Sequence, residues 1–479
     1  MTEILIGRER ETSELRRCMD SVRSEFVIVY GRRRVGKTFL VDQFFHGRYD
    51  FAYTGGHRMS KARQLRYFAK SLKEYAHLPK QPVFKSWDDA FDALQQHLES
   101  LCSDRRKVIF IDEMPWIDTP QSEFVAALEM FWNGWASRRG DIVLIASGSS
   151  TSWMVDKLVE NQGGLHARIT SNIYVRPFTL HEVEQYLKSR GCEWDRYQIL
   201  QAYMMLGGIP FYYSLVDAGQ SLVQNIDRLF FNKNALLVAE FDELYHALFT
   251  HAGKYLGVVK LLNDSHDGMT RDQLLQATKF DSSTMTVILR NLERCDFVIK
   301  YAQFGNKAKG AIYRLVDFFT RFYFNFVETH AALDENWWSN NFQSHAVESW
   351  QGAAFELVGL THLSQIKLKL GISGIPTAVS SWRYLPKKSA GTGKGAQIDL
   401  LIDRADRVIN LCEMKFSVRP YRITDDYDKH LRERAEIFRE KTKTTKALVH
   451  TFVTTMGVAN AVQRSIVNSQ VTMDDLFAP

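Results

Sequence analysis

The sequence has no apolar run approaching the roughly 20 residues needed to cross a bilayer, so it predicts no membrane span. Its first residues, MTEILIGRER, lack the apolar segment and cleavage site of a secretory signal, and we therefore expect a cytoplasmic protein. No C-x-x-C pair is present, which argues against a zinc site and against a disulfide framework. The scattered cysteines, expected to be reduced and buried, are Cys18, Cys102, Cys192, Cys295 and Cys412.

A strong excess of charge of one sign is also lacking. The net charge of +6 over 479 residues permits a nucleic-acid partner but does not require one. The chain is too long for one hydrophobic core, and its length favours about three domains. With 45% hydrophobic and 24% charged residues, the composition is typical of a soluble globular protein.

The segment FVIVYGRRRVGKTFLVDQFF, residues 26–45, predicts a strand, a glycine-rich loop and a helix. In this G-x-x-x-x-G-K-T pattern the loop's N–H groups and the helix N-terminus bind polyphosphate. Lys37 reaches the β- and γ-phosphates, and Thr38 offers a hydroxyl to Mg²⁺. We therefore predict an ATP site. Its phosphate-side residues are Gly31, Arg32, Arg33, Arg34, Val35, Gly36, Lys37, Thr38 and Phe39.

A second segment, KVIFIDEMPWID, predicts a buried parallel strand that ends at Asp112. Because ligands of α/β sheets bind beyond the carboxyl ends of the strands, Asp112 is expected to hold the Mg²⁺ of ATP together with Thr38. Glu113 is expected to orient or deprotonate the attacking water, which favours hydrolysis over binding alone. The alternative is an acidic pair that caps the next turn.

A third strand, DIVLIAS, ends at Ser147, which we predict to sense the γ-phosphate or the water; Ser149 is a rival. The alternative is that these serines cap the helix that begins near Thr151. Arg168 is a candidate arginine finger that acts on the ATP of a neighbouring subunit in a homo-oligomer. A solvated, exposed arginine is the alternative reading of Arg168.

The segments ILIGRERETSEL, VYGRRRVGKT, IFIDE, ASGSS and LGGIPFYY together resemble the archaeal-type ATPase family within the AAA+/STAND group of P-loop NTPases, over residues 4–240. This resemblance implies that Gly7 and Arg8 lie on the adenine side of the nucleotide. It also implies that Gly208, Ile209 and Pro210 lie near the nucleotide in a helical lid. An obvious sensor arginine is missing from this lid segment.

The middle of the chain predicts three short amphipathic helices and a β-hairpin, the layout of a winged helix-turn-helix. The third helix is expected to begin after an N-cap at Asp281–Ser283. Its exposed face would present Ser283, Thr286, Arg290 and Arg294 to DNA, with Lys307 and Lys309 of the wing on phosphate. A module that serves packing alone is the alternative.

Near the C-terminus, GAQIDLLIDRADRVINLCEMKFS predicts a hairpin that brings Asp399 opposite Glu413, with Lys415 on the same face. Two neighbouring carboxylates repel unless a cation lies between them, which favours Mg²⁺ or Mn²⁺. Glu356, on the preceding helix SWQGAAFELVGLTHL, is expected to add a further acid. The alternative is a Glu–Lys pair on a solvated sheet face.

These residues, in order and spacing, resemble the PD-(D/E)xK, or restriction-endonuclease-like, superfamily over about residues 345–455. The resemblance implies metal-assisted phosphodiester hydrolysis by Asp399, Glu413, Lys415 and Glu356. The same segment also resembles, in order and spacing, the C-terminal domain that often follows the archaeal-type ATPase core.

We therefore expect an α/β multidomain protein. Its predicted parts are a P-loop NTPase core (1–176), a helical lid (177–240), a winged helix with a connecting helix (241–330) and a restriction-endonuclease-like domain (331–479). The predicted function is an ATP-hydrolysing, ATP-gated, metal-dependent DNA endonuclease. The alternative is an ATP-switched DNA-binding or STAND-like signalling or scaffold protein whose nuclease-like domain does not cut.

Overall fold

The computed structural model describes residues 4–102, 105–119, 121–160, 165, 168–249, 251–305, 310–331, 333–384, 395–460 and 465–479. The chain divides into two compact units, Met1–Pro177 and Phe178–Pro479. None of the described helices is both long enough and apolar enough to span a bilayer. Four of the five cysteines are buried, as expected, but Cys102 is exposed because it lies in the loop beyond the helix that ends at Ser100.

The first unit contains a parallel sheet with helices before and between its strands. Its helices are α1 (Glu9–Asp20), α2 (Lys37–Phe45), α3 (Lys61–Tyr75), α4 (Trp87–Ser100), α5 (Phe124–Gly134) and α6 (Thr151–Met154). Its strands are β1 (Glu25–Tyr30), β2 (Phe51–Thr54), β3 (Lys107–Asp112), β4 (Ile142–Gly148) and β5 (Ser171–Tyr174). The strand order is β2-β3-β4-β1-β5, which confirms the predicted α/β core with a parallel sheet.

The sheet of the first unit is covered on both faces, which explains why β3 and β4 are buried along their whole length. An aromatic cluster of Phe68, Trp87, Phe91 and Phe124 packs between α3, α4 and α5. The sheet register aligns the carboxyl ends of the strands, with Ile111 beside Ala146 and Tyr30 beside Gly148. Residues that follow β1, β3 and β4 therefore meet at one edge.

The second unit begins with helices and ends with a mixed sheet. Its helices are α7 (Leu180–Ser189), α8 (Arg196–Leu206), α9 (Pro210–Ser214), α10 (Leu222–Ile226), α11 (Leu236–Leu248), α12 (Ala252–Asp264), α13 (Arg271–Thr278), α14 (Ser282–Arg294), α15 (Phe318–Phe322), α16 (Glu328–His330), α17 (Trp337–Asn341), α18 (His345–Thr361), α19 (Leu363–Lys369), α20 (Asp425–Thr442) and α21 (Met473–Leu476). Its strands are β6 (Met269–Thr270), β7 (Val298–Gln303), β8 (Ile312–Leu315), β9 (Thr377–Tyr384), β10 (Ala396–Arg404), β11 (Val408–Lys415), β12 (Ala447–Thr454) and β13 (Ser469–Thr472).

Helices α12, α13 and α14 are followed by the antiparallel strands β7 and β8, as the sequence predicts, whereas the short strand β6 between α12 and α13, which pairs with β8, was not predicted. Asp281 is the N-cap of α14, as expected, and its Oδ1 accepts the N–H of Thr284 at 2.8 Å. On the predicted face Ser283, Thr286 and Arg290 are exposed, whereas Arg294 is half-buried. The wing residues Lys307 and Lys309 lie outside the described residues.

One eight-stranded sheet runs through the second half of this unit, in the order β13-β12-β11-β10-β9-β7-β8-β6. Strand β7 pairs in parallel with β9 through Ala302 beside Ser380 and Gln303 beside Ser381. A single sheet therefore crosses the predicted boundary between residues 330 and 331. In a free-standing winged helix this edge of β7 would be exposed, but here strand β9 of the C-terminal part covers it.

Helices α18 and α20 cover opposite faces of the C-terminal sheet. Phe438 of α20 packs against Ile398, Leu401 and Leu411. On the other face, Met414 of β11 lies against Gly359 of α18, where an added Cβ would approach its sulfur to 2.5 Å. Because alternate residues of a strand face opposite ways, odd-numbered residues of β11 face α20 and even-numbered ones face α18.

A buried histidine makes the stability of the second unit depend on pH. His362 donates from Nδ1 to the carbonyl of Val358 at 3.0 Å and accepts the N–H of Leu180 on Nε2 at 3.2 Å. The bond accepted on Nε2 needs the neutral ring, and burial lowers the pKa of His362 to about 4 from 6.5. The folded pKa lies below the unfolded one, so this contribution is present above about pH 6.5 and is lost as the pH falls towards 4.

We predict that His362→Gln flattens the pH dependence of unfolding of the second unit between about pH 6.5 and pH 4, by up to roughly 3 kcal/mol. Glutamine does not titrate but keeps a donor and an acceptor. Urea unfolding at several pH values measures this. His450, whose pKa burial also lowers to about 4, retains part of the slope. An unchanged slope in the variant would contradict the assignment.

Candidate functional site

The predicted phosphate loop lies between β1 and α2 and needs glycine at both ends. Gly31 has a φ of 148°, and a Cβ there would lie 2.4 Å from the carbonyl oxygen of Val175. Gly36 has a φ of 88° and is the N-cap of α2. Both conformations favour glycine, because a side chain would be strained there. The loop backbone thus turns sharply before the N-terminus of α2, the geometry that exposes N–H groups to an anion.

Lys37 is buried at the start of α2 and turns back over the loop. Its Nζ donates to the carbonyl oxygens of Gly31 at 3.2 Å and Arg32 at 3.0 Å. The ammonium therefore lies over the concave side of the loop. A phosphate group held by the loop would be within its reach.

The hydroxyls of Thr38 and Ser147 meet at the carboxylate of Asp112. Thr38 Oγ1 donates to Asp112 Oδ2 at 3.0 Å, and Ser147 Oγ donates to Asp112 Oδ1. Burial raises the pKa of Asp112, while the hydrogen bonds from Ser147 and Thr38 act in the opposite direction. Three elements, α2, β3 and β4, thus contribute one oxygen-rich cluster beside the phosphate loop.

Glu113 follows Asp112 in a left-handed conformation, with a φ of 48°. Ser149 holds its carboxylate twice: the Ser149 hydroxyl donates to Oε2 at 2.8 Å, and the Ser149 N–H donates to Oε2 at 3.2 Å. The two serines considered as rivals in the sequence therefore have different partners. Ser147 contacts Asp112, and Ser149 contacts Glu113.

Arg8 joins the N-terminal segment to the phosphate loop. Its guanidinium donates to the carbonyls of Val35 at 3.2 Å and Arg176 at 2.8 Å, and its side chain is buried. Gly7, with a φ of 63°, precedes it. Arg8 is thus placed to fix the backbone of the loop at Val35. The adenine contact expected of Gly7 and Arg8 stays a prediction.

The remaining residues predicted for the nucleotide differ in exposure. Arg32 and Val35 are buried, and Arg33, Arg34 and Phe39 are half-buried. Arg168 is exposed in the turn before β5. Pro210 begins α9 in the second unit. The roles given to these residues stay predictions.

At the C-terminal site, Glu413 is buried between basic and phenolic groups of α20. It forms ion pairs with Arg434 and, at 2.8 Å, with Lys415, and it accepts a hydrogen bond from Tyr427. Burial alone would raise the pKa of Glu413, but Arg434 and Lys415 lower it to about 2. Burial acts to lower the pKa of Lys415, and the charge of Glu413 overcomes it and raises that pKa. The positive charge beside Glu413 therefore comes from the protein itself.

Asp399 lies in a different environment, next to Gln397, whose Nε2 donates to Asp399 Oδ1 at 2.8 Å. The charge of Asp399 helps to raise the pKa of Glu356, although burial is the larger cause. Glu356 is paired with Arg314 of β8 at 3.1 Å. Asp399 and Glu356 thus belong to one set of residues, and Glu413 and Lys415 to another.

The predicted convergence of Asp399 and Glu413 is therefore corrected, and a β-bulge explains the difference. The pairing of β10 with β9 shifts register between Ile398 and Leu401. Both of these residues pack towards Phe438 of α20, so the two residues between them, Asp399 and Leu400, turn to the face of α18. Glu413 faces α20. Among the described residues, no group of three or more His, Cys, Asp or Glu side chains is arranged to hold a metal ion.

Sequence reasoning missed Tyr427 and Arg434 as partners of Glu413. The signal was present, because Tyr427, Leu431, Arg434 and Phe438 recur at helical spacing and form the face that α20 turns to the sheet. A charged residue inside such a stripe indicates a buried partner of opposite charge. Glu413 is that partner.

Comparison with known proteins supports the assignment of the N-terminal part. Residues 5–216 match a family described as an ATPase domain predominantly from Archaea, so a P-loop ATPase-like core is present in this part of the chain. An uncharacterised protein of Methanocaldococcus jannaschii, MJECL04, is 24% identical over 332 residues, which is 68% of this chain and 69% of the relative.

Two solved structures illustrate the range of similarity. The Walker-type ATPase PABY2304 of Pyrococcus abyssi is 16% identical with a TM-score of 0.48, over 66% of this chain and 95% of that one. The ORC2 protein of Aeropyrum pernix, solved in ADPNP and ADP complexes, is 13% identical with a TM-score of 0.41, over 76% and 98% of the two chains. Neither similarity assigns a residue or an activity to this protein.

We predict that Thr38→Val weakens the Mg²⁺-dependent part of ATP affinity by about tenfold, because it removes the hydroxyl that lies on Asp112. ATP affinity measured with and without Mg²⁺ tests this. Thr38→Ser, which keeps the hydroxyl, is the control and should resemble the unaltered protein. Full retention of the metal dependence in Thr38→Val would contradict the site.

Proposed function

We propose that this protein is an ATP-hydrolysing switch whose second unit binds DNA and does not cut it. The observation that supports this best is the cluster of Thr38, Asp112 and Ser147 beside the phosphate loop, with Glu113 next to it. Such a cluster contains the groups that nucleotide hydrolysis requires: an anion cradle, a metal-binding acid and a second acid for water.

The loop from Gly31 to Gly36 would bind the phosphates of ATP through its backbone N–H groups and the N-terminus of α2. Lys37 would exchange its two bonds with loop carbonyls for phosphate oxygens. This exchange leaves the ammonium in place and replaces neutral acceptors by charged ones. Charge-assisted hydrogen bonds are about twice as strong as neutral ones.

The residues fit a magnesium ion. Asp112 is a buried carboxylate with a raised pKa, and a cation next to it would offset the cost of burying its charge. Thr38 and Asp112 would hold the ion, with Ser147 as an orienting partner. When bound, Mg²⁺ supplies charge neutralisation at the phosphate oxygens. Mg²⁺ usually has few protein ligands, which matches this small set.

Glu113 would orient the attacking water and accept its proton. Ser149 holds the Glu113 carboxylate through its hydroxyl and its N–H, so it is a positioning residue for this step. We infer that Ser147, at the end of β4, contacts the γ-phosphate. Because Ser149 lies two residues further and holds Glu113, this contact would link the state of the nucleotide to the position of Glu113.

We further infer that α14 binds DNA. Its exposed residues Ser283, Thr286 and Arg290 lie on one side of the helix, opposite the buried Met285, Ile288 and Leu292. A short polar helix with a basic residue on its exposed face, followed by a hairpin, is the arrangement of winged helix-turn-helix proteins. This reading makes α12–α14 and β6–β8 a winged helix.

A metal-dependent endonuclease is the second candidate. It is favoured by the order of α18, β9, β10, β11, α20 and β12 and by the Glu413–Lys415 pair on β11. The separation of Asp399 from Glu413 counts against it. Arg434 also already compensates the charge of Glu413, so a metal ion there would have to displace a buried ion pair. The non-cutting role is therefore the one we propose.

The proposals for lid and assembly rest on the sequence. Pro210 would approach the nucleotide from the helical lid, and Arg168 would act as an arginine finger in a homo-oligomer. The exposure of Arg168 is compatible with that role.

We predict that Glu113→Gln lowers the rate of ATP hydrolysis by about a hundredfold or more with little change in ATP affinity, because the loss affects the water and not the phosphates. Lys37→Ala should lose ATP binding itself. Steady-state hydrolysis and equilibrium ATP binding separate the two effects. Glu123→Gln, at an exposed glutamate of the same unit, is the matched control. Undiminished hydrolysis in Glu113→Gln would refute the assigned role.

We predict that Arg290→Ala weakens binding to duplex DNA and lowers the slope of log affinity against log salt by about one, as expected for the loss of one phosphate contact. Fluorescence anisotropy at several salt concentrations measures this slope. Arg16→Ala, at an exposed arginine of α1, removes the same charge elsewhere. Equal slopes for both variants would argue against α14 as the DNA-binding element.

We predict no metal-dependent DNA cleavage by the protein with Mg²⁺ or Mn²⁺, with or without ATP. Supercoiled and linear DNA incubated with the protein and resolved on gels provide the test. Cleavage that disappears in both Asp399→Ala and Lys415→Ala would overturn the non-cutting proposal and establish the endonuclease instead.

A further inference from the structure

A cavity of about 620 Å³ lies within the second unit. Its walls are formed by α8, the start of α10, the segment from α17 into α18, and the loop that follows β11, residues 416–422. Cavities of this size hold small organic ligands. The phosphate loop and α14 contribute no residue to its lining.

Aromatic side chains form much of this cavity. Tyr197 of α8 stacks on Phe416 with ring centroids 5.3 Å apart and an interplanar angle of 21°. Trp338, Phe342 and Tyr421 line other parts of the wall. Flat aromatic walls favour a planar ring as ligand, because nucleic-acid bases stack favourably on aromatic side chains.

Amide side chains supply hydrogen-bonding groups on the same walls. Gln201 of α8 and Gln343 and Gln351 near and in α18 line the cavity. Gln351 is only 6% exposed. Amide groups on the wall of a cavity favour a ligand with hydrogen-bond donors and acceptors of its own.

Two arginines lie in the loop that lines the cavity. Arg419 and Arg422 are exposed, and within the described part of the chain neither forms an ion pair. Glu348 is the single carboxylate among the lining residues. The lining therefore has a net positive charge on the side of this loop, which suits an anionic group attached to the ligand.

We infer that this cavity binds a nucleotide unit, a planar base together with its phosphate. The base would stack on the aromatic walls, its edge would bond to the amide of Gln351, and the phosphate would face Arg419 and Arg422. This chemistry can be offered by a free mononucleotide or by the unpaired end of a nucleic-acid strand. An apolar ligand would make no use of the three amides, and an acidic peptide would make little use of the stacked rings.

The test uses the full-length protein with Lys37→Ala, which silences the phosphate loop, and two probes. The first probe is AMP, followed by calorimetry. The second is a fluorescein-labelled single-stranded oligothymidylate, followed by anisotropy. Binding of AMP alone assigns the cavity to free nucleotides, and binding of the oligonucleotide assigns it to strand ends. Either result supports the inference if the variants below behave as expected.

Gln351→Leu should weaken binding by about tenfold, as for the loss of one buried hydrogen bond. The double variant Arg419→Gln/Arg422→Gln should weaken it by a similar factor and reduce its salt dependence. Gln365→Leu removes an amide of equal burial outside the cavity, and Arg439→Gln removes an exposed charge of α20; both are matched controls. They should leave binding unchanged.

The inference is overturned if neither probe binds, or if the cavity variants and the controls bind alike. Oligonucleotide binding that ignores Gln351 and the two arginines would place that binding elsewhere, for instance on α14. Thermal unfolding identifies a misfolded Gln351→Leu protein. In that event the exposed arginine variant decides, since its side chains contribute nothing to the core.

Discussion

The proposed nucleotide site of this protein depends on one buried carboxylate. Asp112 receives hydroxyl groups from α2, which follows β1, and from β4, because the sheet order β3-β4-β1 brings the carboxyl ends of these strands to one edge. A carboxylate in such a position is costly to keep charged, as its raised pKa indicates. A divalent ion held beside Asp112 would offset this cost, which is why we regard the cluster as functional.

The conformation of the proposed nucleotide site could be predicted from the sequence because its parts are local. Gly31, Gly36, Lys37 and Thr38 lie within one short segment, and their conformations follow from residue type. Asp112 could be placed because a buried strand ends there. The pairing of Ser149 with Glu113 could not, since it depends on the side-chain geometry of two loops.

At the C-terminal site, residue spacing did not predict which side chains meet. Residue spacing placed Asp399 opposite Glu413, but a single bulge between Ile398 and Leu401 turns Asp399 to the other face of the sheet. A bulge depends on packing across strands, which local pattern does not record. The compensating charge comes from Arg434, which is distant in sequence and adjacent in space. The positive charge that we expected from a metal ion is thus supplied by Arg434 of α20.

In the same unit, strand β11 continues directly into the loop that lines the cavity, and the sheet continues from β9 into β7.

The most direct test of the central claim is electron paramagnetic resonance of Mn²⁺ bound together with ATP, in the unaltered protein and in Asp112→Asn. The account predicts a protein-bound Mn²⁺–ATP signal that is lost, or weakened by about tenfold in apparent affinity, in the variant. Mn²⁺ and ATP that bind equally well to Asp112→Asn would contradict it, because the buried carboxylate would then have no part in holding the nucleotide's metal ion.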